Sequence, residues 1–163
     1  DRRQRQMCIR DRVATLLEVC KEIPDIPFVF AGGGPLEKEV DGIENIENRE
    51  FLSGDSLYKT ISQAAFTIFP SEWYENCPFS VMETQMYGTP VLASDMGGTK
   101  ELVLDGISGE MFQAGNKEQL KEKIFKFWNN KELRKQFTEG CMRVEFDSVK
   151  EYCEKLLEVY END

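Results

Sequence analysis

Four short apolar runs, each ending in small residues, recur between helical stretches: PFVFAGGG, NREFLSG, AFTIFPS and TPVLASD. Each has the length and residue types of a strand, and a helical pattern follows it. RVATLLEVCKEI carries Val13, Leu16, Leu17 and Cys20 at helical spacing and stops at Pro24. PLEKEV, LYKTISQA, PFSVMETQMYG and TKELVLDG follow the four runs in turn. Asp55 or Ser56 is expected to cap the second of these, Pro78 to sit near the first turn of the third, and Gly106 to close the fourth. Strands separated by helices need crossover connections. The expected fold is therefore α/β: a Rossmann-like parallel sheet with helices on both faces. The alternation runs to about Phe112. A helical C-terminal tail follows, with Asn116, Asn130 and Asp147 as expected caps. Its apolar stripes are Leu120/Ile124/Phe127, Leu133/Phe137/Cys141/Val144 and Val149/Tyr152/Leu156/Tyr160. Phe125, Phe127 and Trp128 read as a core cluster, and the last stripe as an exposed patch suited to self-association.

The 163 residues are enough for one domain with a full core. The net charge of −10 is uneven. Residues 1–12 hold five Arg and two Asp, whereas the remainder is strongly acidic. An acidic body argues against a nucleic-acid partner, which needs a basic face for phosphates. Residues 1–12 also lack periodicity and read as a leader foreign to the fold, with a basic N-terminal arm as the alternative, which leaves residues 13–163 as the domain. Cys8, Cys20, Cys77, Cys141 and Cys153 are scattered with no CxxC pair, and histidine is absent. A metal site and a disulfide framework are not expected, nor is a triad that needs histidine. With no signal peptide and no apolar run of membrane-spanning length, a cytoplasmic setting is expected.

Ligands of an open parallel sheet bind beyond the carboxyl ends of its strands. Residues 32–34, 53–54, 71–79 and 97–98 all fall there. The triplet Gly32-Gly33-Gly34 could admit a phosphate or sugar, but it is not the dinucleotide fingerprint, since the third glycine is replaced by Glu37; taken alone, it reads first as a plain tight turn. The stretch ENCPFSVME says more. Early helix N–H groups lack intrahelical acceptors and carry partial positive charge, which suits a diphosphate. Glu83 lies five residues past Pro78, about 7.5 Å along a helix axis, which matches the reach from phosphate to ribose. Glu75 precedes the turn and could reach a sugar at the other end. Phe79, Met82 and Met86 form an apolar stripe with Glu83 at its edge. On these residues alone, Glu75 as a surface acid and Glu83 as a helix-surface acid stand beside that reading. Trp73 and Tyr74 could stack on a ligand or wedge the loop against the core. Cys77 has no general-base partner.

The run from FPSEWYENCPFSVMETQMYGTPVLASDMGGTKELVLDGISGEMF resembles the C-terminal, donor-binding domain of retaining GT-B glycosyltransferases of family 4, the group 1 glycosyltransferases. The matching elements are Pro70-Ser71, Glu75 and Glu83 with seven residues between them, Gly88-Thr89-Pro90-Val91, Gly97-Gly98 with Glu101, and Gly106 with Gly109. FVFAGGGPLE and REFLSG match in order, and the likeness extends from about Val13 to Tyr160. It implies that Glu75 contacts the donor sugar with backbone at Asn76, Cys77, Pro78 and Phe79. It implies that Phe79 and Ser80 N–H groups hold the diphosphate, that Glu83 holds the ribose, that Phe51, Leu52 and Ser53 edge the base, and that Gly33 lies near the donor. Such enzymes need no metal or other cofactor, and the donor would be a UDP- or GDP-sugar.

The family's Gly-Arg…Lys-Gly segment, expected just before Val13, is replaced here by residues 1–12, and the spacing of Arg10 and Arg12 does not match it. The resemblance also implies an N-terminal acceptor domain that is expected to lie outside this chain, and any peripheral membrane contact would come through it. The expectation is a donor-binding half with little or no transfer of its own. The alternatives are a non-catalytic nucleotide-binding module of the same fold and a GT-B relative such as a sugar epimerase or phosphorylase. The paired glutamates favour the transferase over the relatives.

Overall fold

The computed structural model describes residues 13–161; the leader and its Arg10 and Arg12 lie outside them. The expected parallel strands are present, in two sheets at the centre. In the first, β1 (Phe28–Phe30) pairs with β2 (Ile46–Asn48), Phe28 opposite Ile46. In the second, β4 (Val91–Ser94) lies between β3 (Thr67–Phe69) and β5 (Gly109–Phe112). The connecting helices are α1 (Ala14–Glu22), α2 (Glu37–Asp41), α3 (Gly54–Gln63), α4 (Phe79–Met86) and α5 (Thr99–Leu102). After β5 come α6 (Lys117–Asn129), α7 (Lys131–Cys141) and α8 (Val149–Glu161).

Helices cover both faces, as the alternation requires. All four residues of β4 are buried. Leu92 joins Leu16, Leu17, Leu120 and Ile124 of α1 and α6, in a core that Phe28 of the first sheet shares. Val91 and Ala93 point the other way, onto Val81 of α4 and Val103. That is the period-two alternation of a strand buried between two helix layers. Phe127 is fully buried and meets Phe66 and Phe137, whereas Phe125 and Trp128 are 41% and 37% exposed, so only one member of the expected cluster is core. A helix period places neighbours 125 and 128 off the face that carries 120, 124 and 127. Gly140 of α7 rests directly on the Ile107 backbone: a Cβ there would stand 1.8 Å from the Ile107 carbonyl oxygen.

Several boundaries differ from expectation. The strand expected in NREFLSG ends at Asn48 instead. Gly32 N–H donates to the Glu50 carbonyl, and Glu50 takes a φ of +52°, which stops the ladder. Ser53, not Asp55 or Ser56, takes the extended cap position of α3. Pro78 is the residue before α4 rather than its first residue. α5 ends at Leu102 because Val103 is extended, leaving Gly106 in the following turn. Asn116 and Asn130 do cap, accepting from Gln119 N–H and Leu133 N–H. Asp147 does not: Ser148 and Glu151 form a reciprocal capping box, and Asp147 accepts from Lys155 at 2.7 Å. The expected apolar stripe of α8 is exposed, with Val149 83% and Tyr160 78% accessible.

Glu22 fastens α1 to α6 by accepting from Lys117 at 2.8 Å and Lys121 at 2.7 Å. The Lys117 and then Lys121 hydrogen bonds hold its carboxyl down to about 2 from an ordinary 4.5. The native state therefore favours the ionised form. The contribution is full above the unfolded pKa and is lost as pH falls from about 4.5 through about 2. The Glu22→Gln variant should be less heat-stable than the parent at neutral pH, and the gap should close across that acid window. A Tm difference that stays constant from neutral pH to pH ~2 would contradict this.

Candidate functional site

The connections after the first four strands all carry predicted site residues. Residues 32–34 follow β1, residues 51–53 follow β2, residues 71–77 follow β3, and Gly97-Gly98 follows β4. The Gly32–Glu50 hydrogen bond sets the triglycine turn beside residues 51–53. Gly33 faces a cavity of about 190 Å³, whose lining includes Val13, Phe30, Leu36 and Asn48 but no residue of the 71–77 loop. Phe51 is exposed, Leu52 half-buried, and Ser53 stands at the start of α3.

The 71–77 loop is the most constrained part. Gly98 N–H donates to the Glu75 carbonyl at 2.7 Å. A Cβ on Gly97 would lie 2.6 Å from the Glu75 oxygen, and one on Gly98 would lie 1.8 Å from the Asn76 oxygen. The glycine pair is thus a bare ledge on which the backbone of Glu75 and Asn76 lies. At the loop's start, Ser71 is buried. Its Oγ accepts from Trp73 N–H at 3.4 Å, and its proton is shared between the Trp73 carbonyl at 3.3 Å and Glu75 Oε1 at 3.4 Å. Glu72 accepts from Thr15 Oγ1 of α1 at 2.6 Å. Trp73 and Tyr74 are 57% and 85% exposed, so neither wedges the loop against the core.

This loop delivers the chain to α4. Pro78 is buried at the cap position, and no side chain caps the helix. Its first N–H groups, at Phe79 and Ser80, have no intrahelical acceptor and sit at the positive end of the helix dipole. Asn76, Cys77, Phe79 and Ser80 are all exposed around that end. The buried face of α4 is Val81, Thr84 and Gln85, not the expected stripe, since Phe79 and Met86 are 71% and 70% exposed. Gln85 can occupy the core because its Nε2 donates to the Leu102 carbonyl at 2.9 Å and to that of Val81.

Glu83 is half-buried one turn before Tyr87, whose ring stacks on Tyr58 of α3 at 5.0 Å. Partial burial, then Tyr58, Asp55 and Glu83, hold the Tyr87 phenol above its ordinary value. The tyrosine stack therefore gathers the start of α3, just after residues 51–53, beside Glu83. Sequence reasoning missed this stack, and it missed the buried hydroxyls Ser94 and Thr99 beneath the loop. Their signal was polar residues at the end of an apolar strand.

Cys77 is exposed, with Sγ 3.5 Å from Met82 Sδ. Cys20 and Cys141 are buried, which pushes their thiols up to about 12 and about 11. Among the described residues no group of three or more metal-ligating side chains is assembled, and no helix is long and apolar enough to cross a membrane.

Comparison with known proteins identifies the family and the fold. The family model "Glycosyl transferases group 1" matches residues 9–141. An uncharacterized glycosyltransferase of Methanocaldococcus jannaschii is 32% identical over 134 residues, covering 78% of this chain and 38% of that protein. The O-antigen chain mannosyltransferase C of Escherichia coli is 27% identical over 126 residues, covering 72% and 34%. The chain thus spans well under half the length of these relatives. Among solved structures, Staphylococcus aureus TarM, as a mutant complexed with Fondaparinux, alpha-GlcNAc-glycerol and UDP, superposes with a TM-score of 0.74 at 20% identity, covering 93% and 32%. Anabaena HepE in complex with UDP gives 0.69 at 17% identity, covering 78% and 38%. These structural likenesses show the α/β fold.

Proposed function

Because the chain belongs to the group 1 glycosyl transferases, we propose that it is the donor-binding half of a retaining enzyme of family 4. In this proposal it holds a UDP- or GDP-sugar for transfer to an acceptor hydroxyl. The observation that carries the reading is the ledge. Gly97 and Gly98 fix the backbone of Glu75 and Asn76 beside an uncapped helix start, so a carboxylate and a cluster of N–H donors share one edge of the sheet. In this reading Glu75 grips the sugar's hydroxyls. Asn76, Cys77 and Pro78 shape the turn, Phe79 and Ser80 N–H groups meet the diphosphate, Glu83 takes the ribose, and Phe51, Leu52 and Ser53 edge the base. Gly33 borders the donor from the neighbouring turn. The UDP held by TarM and HepE in their complexes supports a nucleotide diphosphate as the ligand class.

Protein groups, rather than a metal, would offset the charge of the leaving diphosphate. Fixed N–H donors do this well because they need no reorganisation as charge develops. The acceptor-binding part of such an enzyme is proposed to lie outside this chain, in keeping with the share of its relatives that it covers.

Calorimetric titration with UDP, GDP and ADP tests the reading. At least one should bind. Glu83→Ala should weaken that one by about ten- to a hundredfold, the worth of a hydrogen bond to a charged group. No binding of any of the three, or an unchanged affinity in the variant, would refute the donor site. A coupled assay showing robust transfer by this chain alone would refute its being a half.

A further inference from the structure

We infer that Ser94, backed by Thr99, is a positioning residue for Glu75, and that it acts through the main chain of the site loop. The inference rests on the donor-site reading above. Ser94 ends β4 and Thr99 opens α5, and both are fully buried. Thr99 Oγ1 donates to the Ser94 carbonyl at 2.7 Å and also reaches that of Met96. Ser94 Oγ donates to the carbonyl of Ser71, 23 positions earlier in the chain. Ser71 is 1% exposed, and its own hydroxyl touches both the Trp73 backbone and the Glu75 carboxylate. Three hydroxyls therefore run in sequence from the helix start at Thr99 to the carboxylate.

A buried hydroxyl usually serves only to satisfy a local backbone group. Two observations separate this one. Ser94 holds the residue whose side chain contacts Glu75, not an arbitrary loop carbonyl. In addition, the same β4–α5 segment holds Glu75 a second time, through the Gly98 N–H on its carbonyl. Backbone and side chain of Glu75 are thus both referenced to one rigid element, the arrangement that precise placement of a binding group requires. The Thr15–Glu72 bond comes from α1 and holds only the neighbouring residue.

Hydrogen exchange and nucleotide binding by the whole chain test this together. In Ser94→Ala and Thr99→Val, the amides of Gly98 and Trp73 should exchange about tenfold faster or more, while the β4–β5 ladder keeps its protection; Thr99→Ser should restore them. In the same variants, affinity for UDP-glucose should fall about tenfold more than affinity for UDP. Adding Ser94→Ala to Glu75→Gln should remove nothing further from that difference. Unchanged loop amides would overturn the inference. So would exchange that rises equally in the ladder, which marks a merely structural role, or equal weakening of both ligands. If the parent chain binds neither ligand, the exchange pattern decides the positioning by itself, and the donor-site reading falls only when GDP and ADP fail to bind as well.

Discussion

Gly98→Ala should abolish measurable nucleotide-sugar binding and cost about 1–3 kcal/mol of stability or more, as overpacking a fixed contact does. The new methyl would stand 1.8 Å from the Asn76 oxygen and 2.8 Å from its carbonyl carbon. Both are backbone atoms, so no rotamer change relieves the clash. Either the loop lifts off its ledge, carrying Glu75 with it, or α5 moves and breaks the Thr99 hydrogen bonds. The φ of Gly98 is −70°, which alanine adopts freely, so the effect is one of space rather than of backbone conformation. Gly33→Ala is the matched control for stability alone, because Gly33 borders the donor in the proposed site. Nothing lies within 4 Å of its Cβ position, and stability should change by no more than about 0.5 kcal/mol. Denaturant midpoints check both variants, and titration checks Gly98→Ala. A Gly98→Ala protein that binds like the parent would show that the ledge does not place Glu75.

Phe127→Ala should cost about 3–5 kcal/mol, the range for deleting a buried aromatic ring and leaving its cavity. Phe127 is fully buried, with ring centroids 5.1 Å from Phe66 and 5.3 Å from Phe137, so it joins the strand-side core to α7. Its ring neighbours lie on separate segments, Phe66 just before β3 and Phe137 on α7, so the deleted ring leaves a cavity between them. Phe125→Ala removes a similar ring at a site 41% exposed and should cost less than about 1 kcal/mol. In urea unfolding, the first variant should shift the midpoint strongly at an unchanged m-value. Equal shifts for the two would mean that α6 does not present Phe127 to the core as described.

What could be read from the residues depended on how local its physical cause was. The strand–helix alternation was legible because an apolar run and a helical stripe each announce themselves within ten residues or so. The caps at Asn116 and Asn130 were legible for the same reason, since the bond spans three residues. At Asp147 the local signal was ambiguous, and the neighbouring Ser148 took the cap. The end of β2 was not legible. The left-handed Glu50 is held by Gly32 from another turn, which no window around Glu50 contains. The face of α4 was misread because hydrophobicity predicts burial of Phe79 and Met86, whereas specific carbonyl partners bury Gln85. The candidate site divides in the same way. The order of motifs pointed to the Glu75 loop and to Gly97-Gly98, but that one lies upon the other is a long-range fact. So is the tyrosine stack beside Glu83.

The contact between Gly140 and the Ile107 carbonyl has a consequence for α7 as a whole. A helix held only by side chains can slide by small amounts while its neighbours repack. Here one bare position meets one carbonyl, and the residues one turn earlier on that side of the helix, Gln136 and Phe137, bear side chains. A slide of α7 by about one turn would bring a Cβ towards the Ile107 oxygen, so the contact works as a detent. That stop also puts Cys141 where its Sγ reaches the Ser108 carbonyl at 3.3 Å and the Thr89 carbonyl at 3.6 Å. The helix α7 is in this sense indexed to the strand layer rather than merely adherent to it.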